Sequence, residues 1–492
     1  MTATARLWLL VAALALFGRI YQTAVLWPEE TLPLATAQHL LAGKVLYRDV
    51  WFDKPPLLAW FYVAVLAASG HSGYGLRLIG AFYVVAICIA GYGVARRLWG
   101  EVEAWATALL LAFFLTFYQP AATVALAADL LLVLPHLLVF WLLAAGRPRW
   151  AGVLAGFALH LNSKAVLVLA AAAGWLLIEK EARRLPALVG GFAAATVAGL
   201  GLVAATGGWS GYVDEVWRWG SAYAGAPFTP HPWTLGIERT ANYFGFHAAL
   251  LIGAALFFWS PPEGPDRRRQ LTLWFAVSFI GVMLGARFFP RYYFQILPVL
   301  ALAAGAGWTA SLGKRALLAI LAVSLAVPAV RFGRTNLWLA LGRTWDWTDT
   351  AIDRDSRLVA ARLLRVTAPA DRIFVWGFRP EIYYYARRLG GSRFLESQPL
   401  TGVLADRHLE RADPFRPDWA EAHRRELATE LEKDPPAMIV DGLGRYNPAL
   451  ALDRYAELAP LLERYVLVGE TAGSRLYLRR DGQRREVALP GP

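Results

Sequence analysis

Apolar runs separated by short polar stretches dominate the first two thirds of the chain. They fall at 7–27, 76–95, 103–118, 124–145, 150–163, 164–178, 186–206, 241–259, 271–288, 292–311 and 315–331. A run of about twenty residues spans a bilayer core of about 30 Å, so the pattern predicts eleven crossing helices. A further apolar stretch, 55–68, is short and opens on Pro55-Pro56; it is expected to lie on the membrane surface as an interfacial helix. Thr31 to Leu41 is expected to form a second, amphipathic interfacial helix, ending near Gly43. Beyond Arg331 charges of both signs fill 345–480 and no run is long enough to cross. Three short strand-like runs, 372–376, 437–440 and 465–468, alternate there with helical stretches such as Asp418 to Lys433. That alternation predicts a small α/β domain. The expected organisation is a membrane module over 1–335, a soluble domain over 345–480 and a tail over 481–492.

Composition agrees with a polytopic α-helical membrane protein. Of 492 residues 57% are hydrophobic and 17% charged, against about 25% charged in soluble domains. The single cysteine, Cys88, excludes an internal disulfide framework or a cysteine zinc site. No small-residue cleavage site follows the first apolar run, so a retained first helix is expected. The net charge of +12 needs no nucleic acid to explain it. Its basic clusters, Arg96-Arg97, Arg147 with Arg149, Lys180 with Arg183-Arg184, Arg267 to Arg269 and Lys314-Arg315, fall between apolar runs. Such clusters mark the cytoplasmic side. Eleven crossings satisfy this with a cytoplasmic N-terminus and 55–68 kept out of the bilayer; were 55–68 to cross, Arg96-Arg97 would face outward. The loops 28–75 and 207–240 and the C-terminal domain are then extracytoplasmic. Loop 207–240 is rich in Trp and Tyr and is read either as a further interfacial helix or as an ordinary aromatic belt.

Several charged residues stand out against this background. Glu29 and Glu30 lie at the outer mouth of the first apolar run, where a carboxylate could serve as general base for an acceptor hydroxyl or simply be solvated. Asp53 and Lys54 precede Pro55-Pro56, so Lys54 is placed at a helix mouth, able to hold a phosphate or to snorkel to headgroups. Asp129 and Lys164 interrupt apolar sequence, and charges near membrane depth are costly enough to be functional candidates. Lysine is scarce here, six against forty-three arginines, which makes Lys164 more telling. Arg287 and Arg291 bracket Phe288-Phe289-Pro290 ahead of Tyr292 and could clamp a phosphate or diphosphate. Arg19 faces the bundle either as a third cation or as partner of a buried carboxylate. His160 and His231 have no partners at metal-ligand spacing. No nucleotide-binding motif, HExxH or GxSxG is present.

In their order along the chain these motifs resemble those of the GT-C glycosyltransferases of the protein O-mannosyltransferase and aminoarabinose transferase type. The acidic pair Glu29-Glu30, the segment Asp53-Lys54-Pro55-Pro56-Leu57, Asp129, the stretch Gly156 to Lys164, and Arg287 to Pro298 carry the resemblance. Phe374-Val375-Trp376-Gly377 and Pro380 to Tyr383 extend it into the soluble tail. The resemblance implies the GT-C fold with a C-terminal α/β domain, in a multi-pass cell (inner) membrane enzyme. It implies a polyprenyl-phosphate sugar as donor, an extracytoplasmic acceptor and no nucleic acid. The first acid of the pair, usually aspartate in the family, would be the base; here the pair is Glu-Glu, which leaves Glu29 and Glu30 both open. Lys54, Lys164, Arg287 and Arg291 would stabilise the leaving phosphate, with Asp53, Asp129 and Tyr292 completing the substrate site. No cofactor is implied, and divalent-metal dependence stays open. The competing class is a transporter or flippase of lipid-linked glycans, which predicts inverted repeats that the chain does not display.

Overall fold

In the computed structural model the described residues are 2–226, 228–260, 266–311, 313–343 and 347–480; the expected tail lies outside them. Helices occupy the apolar runs, among them Gly73–Leu98, Glu101–Phe114, Ala128–Ala144, Leu185–Ala205, Arg268–Met283, Leu297–Thr309 and Arg315–Ala340. Large apolar side chains such as Phe82, Val197 and Val330 stay exposed on them, a surface suited to lipid rather than water. Four described helices are long and apolar enough to cross a bilayer, or five if the pair Pro232–Phe246 and Ala248–Trp259, bent by 82°, is one span. Shorter apolar helices of 10–17 residues include Thr4–Phe17, Pro56–Ser69 and Ala165–Ile178.

The structure departs from the expected bounds where polar groups or glycines interrupt a run. The first helix, Ala3–Phe17, stops ten residues before Trp27. Gly18 packs on Thr116, and the buried Arg19 turns inward. Near the expected run 271–288 the helix ends at Met283; Gly285, at φ 73°, turns the chain into the short Pro290–Gln295 helix. The last apolar helix continues to Ala340, past the expected boundary at 335.

Helix pairs cross closely where they are built from small residues. A Cβ on Gly152 would lie 1.9 Å from the Leu188 carbonyl oxygen, and one on Gly191 would lie 2.2 Å from that of Arg149. The Pro148–Leu159 and Leu185–Ala205 helices therefore touch backbone to backbone, the close approach that small residues permit in lipid.

The C-terminal part forms a mixed sheet of strands β1 (Ile373–Trp376), β2 (Met438–Asp441), β3 (Tyr465–Glu470) and β4 (Arg475–Arg479), in the order β1-β2-β4-β3. β1 and β2 are parallel; β4 is antiparallel to both β2 and β3. Alternate residues face opposite layers. Phe374, Trp376 and Ile439 pack with Leu427 and Leu431 of the Pro417–Lys433 helix. Ile373, Val375, Met438 and Val440 pack with Val359 and Leu363 of the Thr348–Val366 helix.

That second core continues into the membrane module through Leu34, Ala35, Leu58, Tyr62 and Leu126. The stretch expected as an amphipathic interfacial helix is consequently the buried Pro28–Leu41 helix, enclosed between the two parts. His39 fixes it: Nδ1 donates to the Ala35 carbonyl and Nε2 accepts the Gly390 N–H at 2.7 Å. Burial holds its imidazole down at about 4, so it stays neutral and can accept that bond. Loop 207–240 is tied down as well. Trp219 is buried against Trp51, Phe415 and Trp419, and Glu215 accepts from the Phe52 N–H at 2.7 Å and pairs with Arg393.

Close helix packing is tested by volume. Gly152→Val or Gly191→Val should destabilise the detergent-solubilised protein by about 1–3 kcal/mol through overpacking, read as a lowered Tm. Gly190→Val, where a Cβ meets nothing within 4 Å, should leave Tm unchanged.

Candidate active site

The two glutamates open the Pro28–Leu41 helix rather than closing the first one. Pro28 suits a first helical position, and both acids favour the helix N-terminus. They diverge from there. Glu30 is 0% exposed and its carboxylate accepts from both terminal nitrogens of Arg77 at 2.8–3.0 Å. Arg77 also donates to the carbonyls of Gln22, at 2.8 Å, and Val25, at 2.7 Å. Glu30 further accepts the N–H groups of Trp27 and Leu126, each at 3.3 Å. Every face of this carboxylate is thus occupied by the protein. Arg77 was not anticipated, although an arginine just inside an apolar run is the signal that singled out Lys164.

Glu29 faces the other way. One oxygen pairs with Arg291, and the other, Oε2, is buried without a partner among the described residues. Arg291 lies with its Nε 3.7 Å from Asp129, which in turn pairs with Lys164 at 2.9 Å. Asp129 sits in the first turn of the Ala128–Ala144 helix and Lys164 at the start of the Ala165–Ile178 helix. Asn162 spans the gap, its side-chain nitrogen 3.4 Å from Asp129 and its oxygen accepting the Lys164 N–H. The Lys164 ammonium lies 3.5 Å from the centre of the Tyr292 ring. Five residues picked out from distant stretches therefore form one contiguous cluster: Glu29, Arg291, Asp129 and Lys164 alternate in charge, and Tyr292 lies against Lys164.

The other candidates border it. Asp53 pairs with Lys54 at 2.7 Å; the Lys54 side chain is 48% exposed, and Asp53 Oδ1 is buried without a partner among the described residues. Arg287 does not stand beside Arg291 as a second arm. It is buried on Asp406 at 2.7 Å and on the Tyr223 carbonyl at 2.9 Å, with its guanidinium 3.9 Å from the Tyr223 ring centre. Tyr223 is close enough to Arg287, Arg291 and Asp53 to feel the charge of each. Glu396 of the C-terminal domain lies beside Asp53 and Lys54, and burial, with Asp53 adding to it and Lys54 opposing, pushes its carboxyl up to about 8. Neither Asp406 nor Glu396 carried a local signal, since both lie in a loop-rich stretch of soluble domain.

Arg19 answers to neither expectation: its donors go to the backbone carbonyls of Ala15, Leu115 and Thr123, not to a carboxylate or the cluster. His160 meets the Thr196 carbonyl at 3.1 Å, and His231 is exposed before the Pro232–Phe246 helix. Among the described residues no group of three or more His, Cys, Asp or Glu side chains converges as a metal site.

The Gly73–Leu98 helix relates this cluster to the basic end of the bundle. It carries Arg77 near one end and Arg96-Arg97 at the other, separated by roughly 30 Å at 1.5 Å per residue. Arg97 packs on Trp141, Arg96 pairs with Glu101, and Arg267 pairs with Glu179. The charged cluster and Arg96-Arg97 thus lie toward opposite ends of this helix.

This architecture matches solved structures over almost its whole length. ArnT from Cupriavidus metallidurans bound to undecaprenyl phosphate superposes with a TM-score of 0.67 at 15% identity, over 97% of this chain and 98% of that one. The same protein in the apo state gives 0.59, again at 15% identity and over the same shares of the two chains. Archaeal oligosaccharyltransferase AglB from Archaeoglobus fulgidus, in complex with an inhibitory peptide and a dolichol-phosphate, gives 0.50 at 13% identity over 99% of this chain and 75% of that one. The model of the family described as dolichyl-phosphate-mannose-protein mannosyltransferase matches residues 53–209. No curated protein matches by sequence. At these identities the structural likeness is one of fold, and the fold is GT-C: a helical membrane module carrying a C-terminal α/β domain.

Two consequences are measurable. Arg77→Ala strands the Glu30 carboxylate in an apolar interior and should cost about 3–5 kcal/mol, seen as a large drop in Tm. Glu396 holds its proton more tightly folded than unfolded, so its contribution to stability is complete below about pH 4.5 and is lost as pH rises to about 8. Wild-type Tm should therefore fall relative to that of Glu396→Gln between pH 5 and pH 8.5.

Proposed function

We propose that the chain is a membrane glycosyltransferase that moves a sugar from a polyprenyl-phosphate donor to an extracytoplasmic acceptor hydroxyl or amine in one inverting displacement. The observation that carries this reading is Glu29: one oxygen on a cation, the other buried and unpartnered among the described residues, in a cluster that brings Asp129, Lys164, Arg291 and Tyr292 around it. The GT-C fold supports it, as do the undecaprenyl phosphate and dolichol-phosphate bound by the ArnT and AglB structures.

In the reaction the acceptor oxygen attacks the anomeric carbon, its proton passes to Glu29, and the bond from that carbon to the phosphate oxygen breaks. The electron pair leaves on polyprenyl phosphate. The site must then stabilise growing negative charge on that phosphate. Lys54, with half of its side chain open to solvent, is the cation freest to meet it. Lys164 and Arg291 supply further positive charge at short range, with Asp129 orienting both. Arg287, committed to Asp406, positions the C-terminal domain over the site and reaches the phosphate only if that pair opens. Tyr292 offers a ring face beside Lys164, and Asp53 orients Lys54. Glu30, enclosed by Arg77, takes the role of a positioning residue and Glu29 that of the base. The reading places the N-terminus and the basic end in the cytoplasm of a cell with an inner membrane, and the site and sheet domain outside, in keeping with their separation across the bundle.

The test uses purified protein in vesicles with a radiolabelled polyprenyl-phosphate sugar. Glu29→Gln should reduce release of polyprenyl phosphate at least about a hundredfold, the lower bound for a general base, with Tm unchanged. Normal turnover by Glu29→Gln would remove it as the base. Translocation of the labelled lipid without release of polyprenyl phosphate would favour a flippase.

A further inference from the structure

A cavity of about 460 Å³ lies outside the charged cluster, where loop 207–240, the segment 47–51 and the Pro417–Lys433 helix meet. Its volume falls in the range of small-molecule sites, roughly 300–1,000 Å³. Trp419 presents a partly exposed ring to it, backed by the buried Tyr47, Trp51 and Trp219. Between them stand three arginines, Arg48, Arg218 and Arg393, and three acids, Asp214, Glu215 and Glu426.

The backbone around this cavity is unusual. Val213–Trp219 is a seven-residue π-helix and supplies four of the lining residues. Such segments are rare and concentrate at functional sites. The turn before it is packed to its limit, since a Cβ on Gly211 would lie 2.1 Å from the Tyr47 carbonyl oxygen. Polar groups are also left unspent: Trp219 is 1% exposed, yet among the described residues its Nε1–H has no partner and Nε of Arg393 has none. Among the described residues Asp214 and Arg218 pair only with each other, at 2.7 Å and largely in solvent. Such a pair contributes little to stability and can be exchanged for a ligand.

These features select a chemistry. Equal numbers of arginines and acids give the wall no net charge, which disfavours a phosphate or any polyanion. The partly exposed Trp419 indole offers a face to the C–H side of a pyranose, while planar carboxylates and guanidiniums match vicinal hydroxyls two at a time. We propose that this cavity is a binding site for a neutral glycan chain. If the chain is the transferase proposed above, on which this part rests, the site holds the acceptor. The segment lining it runs directly into the candidate active site. Trp51 N–H donates to the Arg393 carbonyl at 2.9 Å, Phe52 N–H donates to Glu215, and the next two residues are Asp53 and Lys54. A glycan seated on Trp419, which packs on Trp219, would therefore bear on the same strap that carries Lys54.

The experiment is saturation-transfer NMR on the full chain in nanodiscs with maltotriose, cellotriose, chitotriose and mannotriose, and with inorganic phosphate as competitor. At least one trisaccharide should receive saturation. Trp419→Ala and the double variant Asp214→Ala/Arg218→Ala should each weaken its binding by roughly tenfold or more, and phosphate should not compete. These substitutions remove partly or largely exposed side chains, and an unchanged Tm checks the fold. The proposal is overturned if no trisaccharide receives saturation, if binding survives both variants, or if phosphate displaces the sugar. Binding of a trisaccharide by a chain that releases no polyprenyl phosphate would keep the glycan site and reject the transferase; release without binding would do the reverse.

Discussion

The buried pair of Arg77 and Glu30 is the interaction on which the site depends. One guanidinium gathers the carbonyls of Gln22 and Val25 and the Glu30 carboxylate, while that carboxylate receives the N–H groups of Trp27 and Leu126. Four stretches of chain meet there: the linker after the first helix, the start of the Pro28–Leu41 helix, the Gly73–Leu98 helix and the turn before Asp129. Tyr62 adds a fifth by donating to the Leu126 carbonyl at 3.0 Å. Ion pairs at such depth rarely add net stability, because desolvation offsets the attraction. What this one supplies is direction. With Glu30 held, its neighbour Glu29 points toward Arg291, and the Leu126 anchor sets where Asp129 begins its helix.

The site that results is assembled from both parts of the molecule. The membrane module contributes Glu29, Asp129, Lys164, Arg291 and Tyr292, while Asp406 and Glu396 reach it from the C-terminal domain. The Pro28–Leu41 helix is the physical link, since its buried face belongs to the same core as the sheet. Opposite charges in the cluster neutralise one another in the unliganded protein. In the proposed reaction a phosphate arriving at Lys54 and Lys164 would compete with Asp53 and Asp129 for them, which would couple donor binding to the release of carboxylates.

Much of this was legible from sequence, for a definite reason. A charge inside apolar sequence is costly wherever it ends up, so Glu29, Asp129 and Lys164 were visible without knowing their partners. The GT-C architecture followed from the order of the motifs, and three of the four strands from their apolar runs. What sequence could not supply was pairing across distance. Arg77 meets Glu30 over 47 positions and Arg291 meets Glu29 over 262, and neither spacing leaves a local trace. Strand β4, Arg475–Arg479, was missed because its inward side chains alternate with charged or half-exposed ones. The Pro28–Leu41 helix was misplaced at the interface because its burial comes from a domain more than 300 residues away.

The central claim is that Glu29 faces the reacting carbon while the cations face the leaving phosphate. The most direct measurement is the structure of the full chain with a non-hydrolysable polyprenyl-phosphonate sugar. The account predicts the phosphonate on Lys54, with Lys164 or Arg291 nearby, and the anomeric carbon facing Glu29 across a gap that one acceptor hydroxyl would fill. A phosphonate bound with its sugar turned away from Glu29, or a donor seated at the opposite, basic end of the bundle, would contradict it.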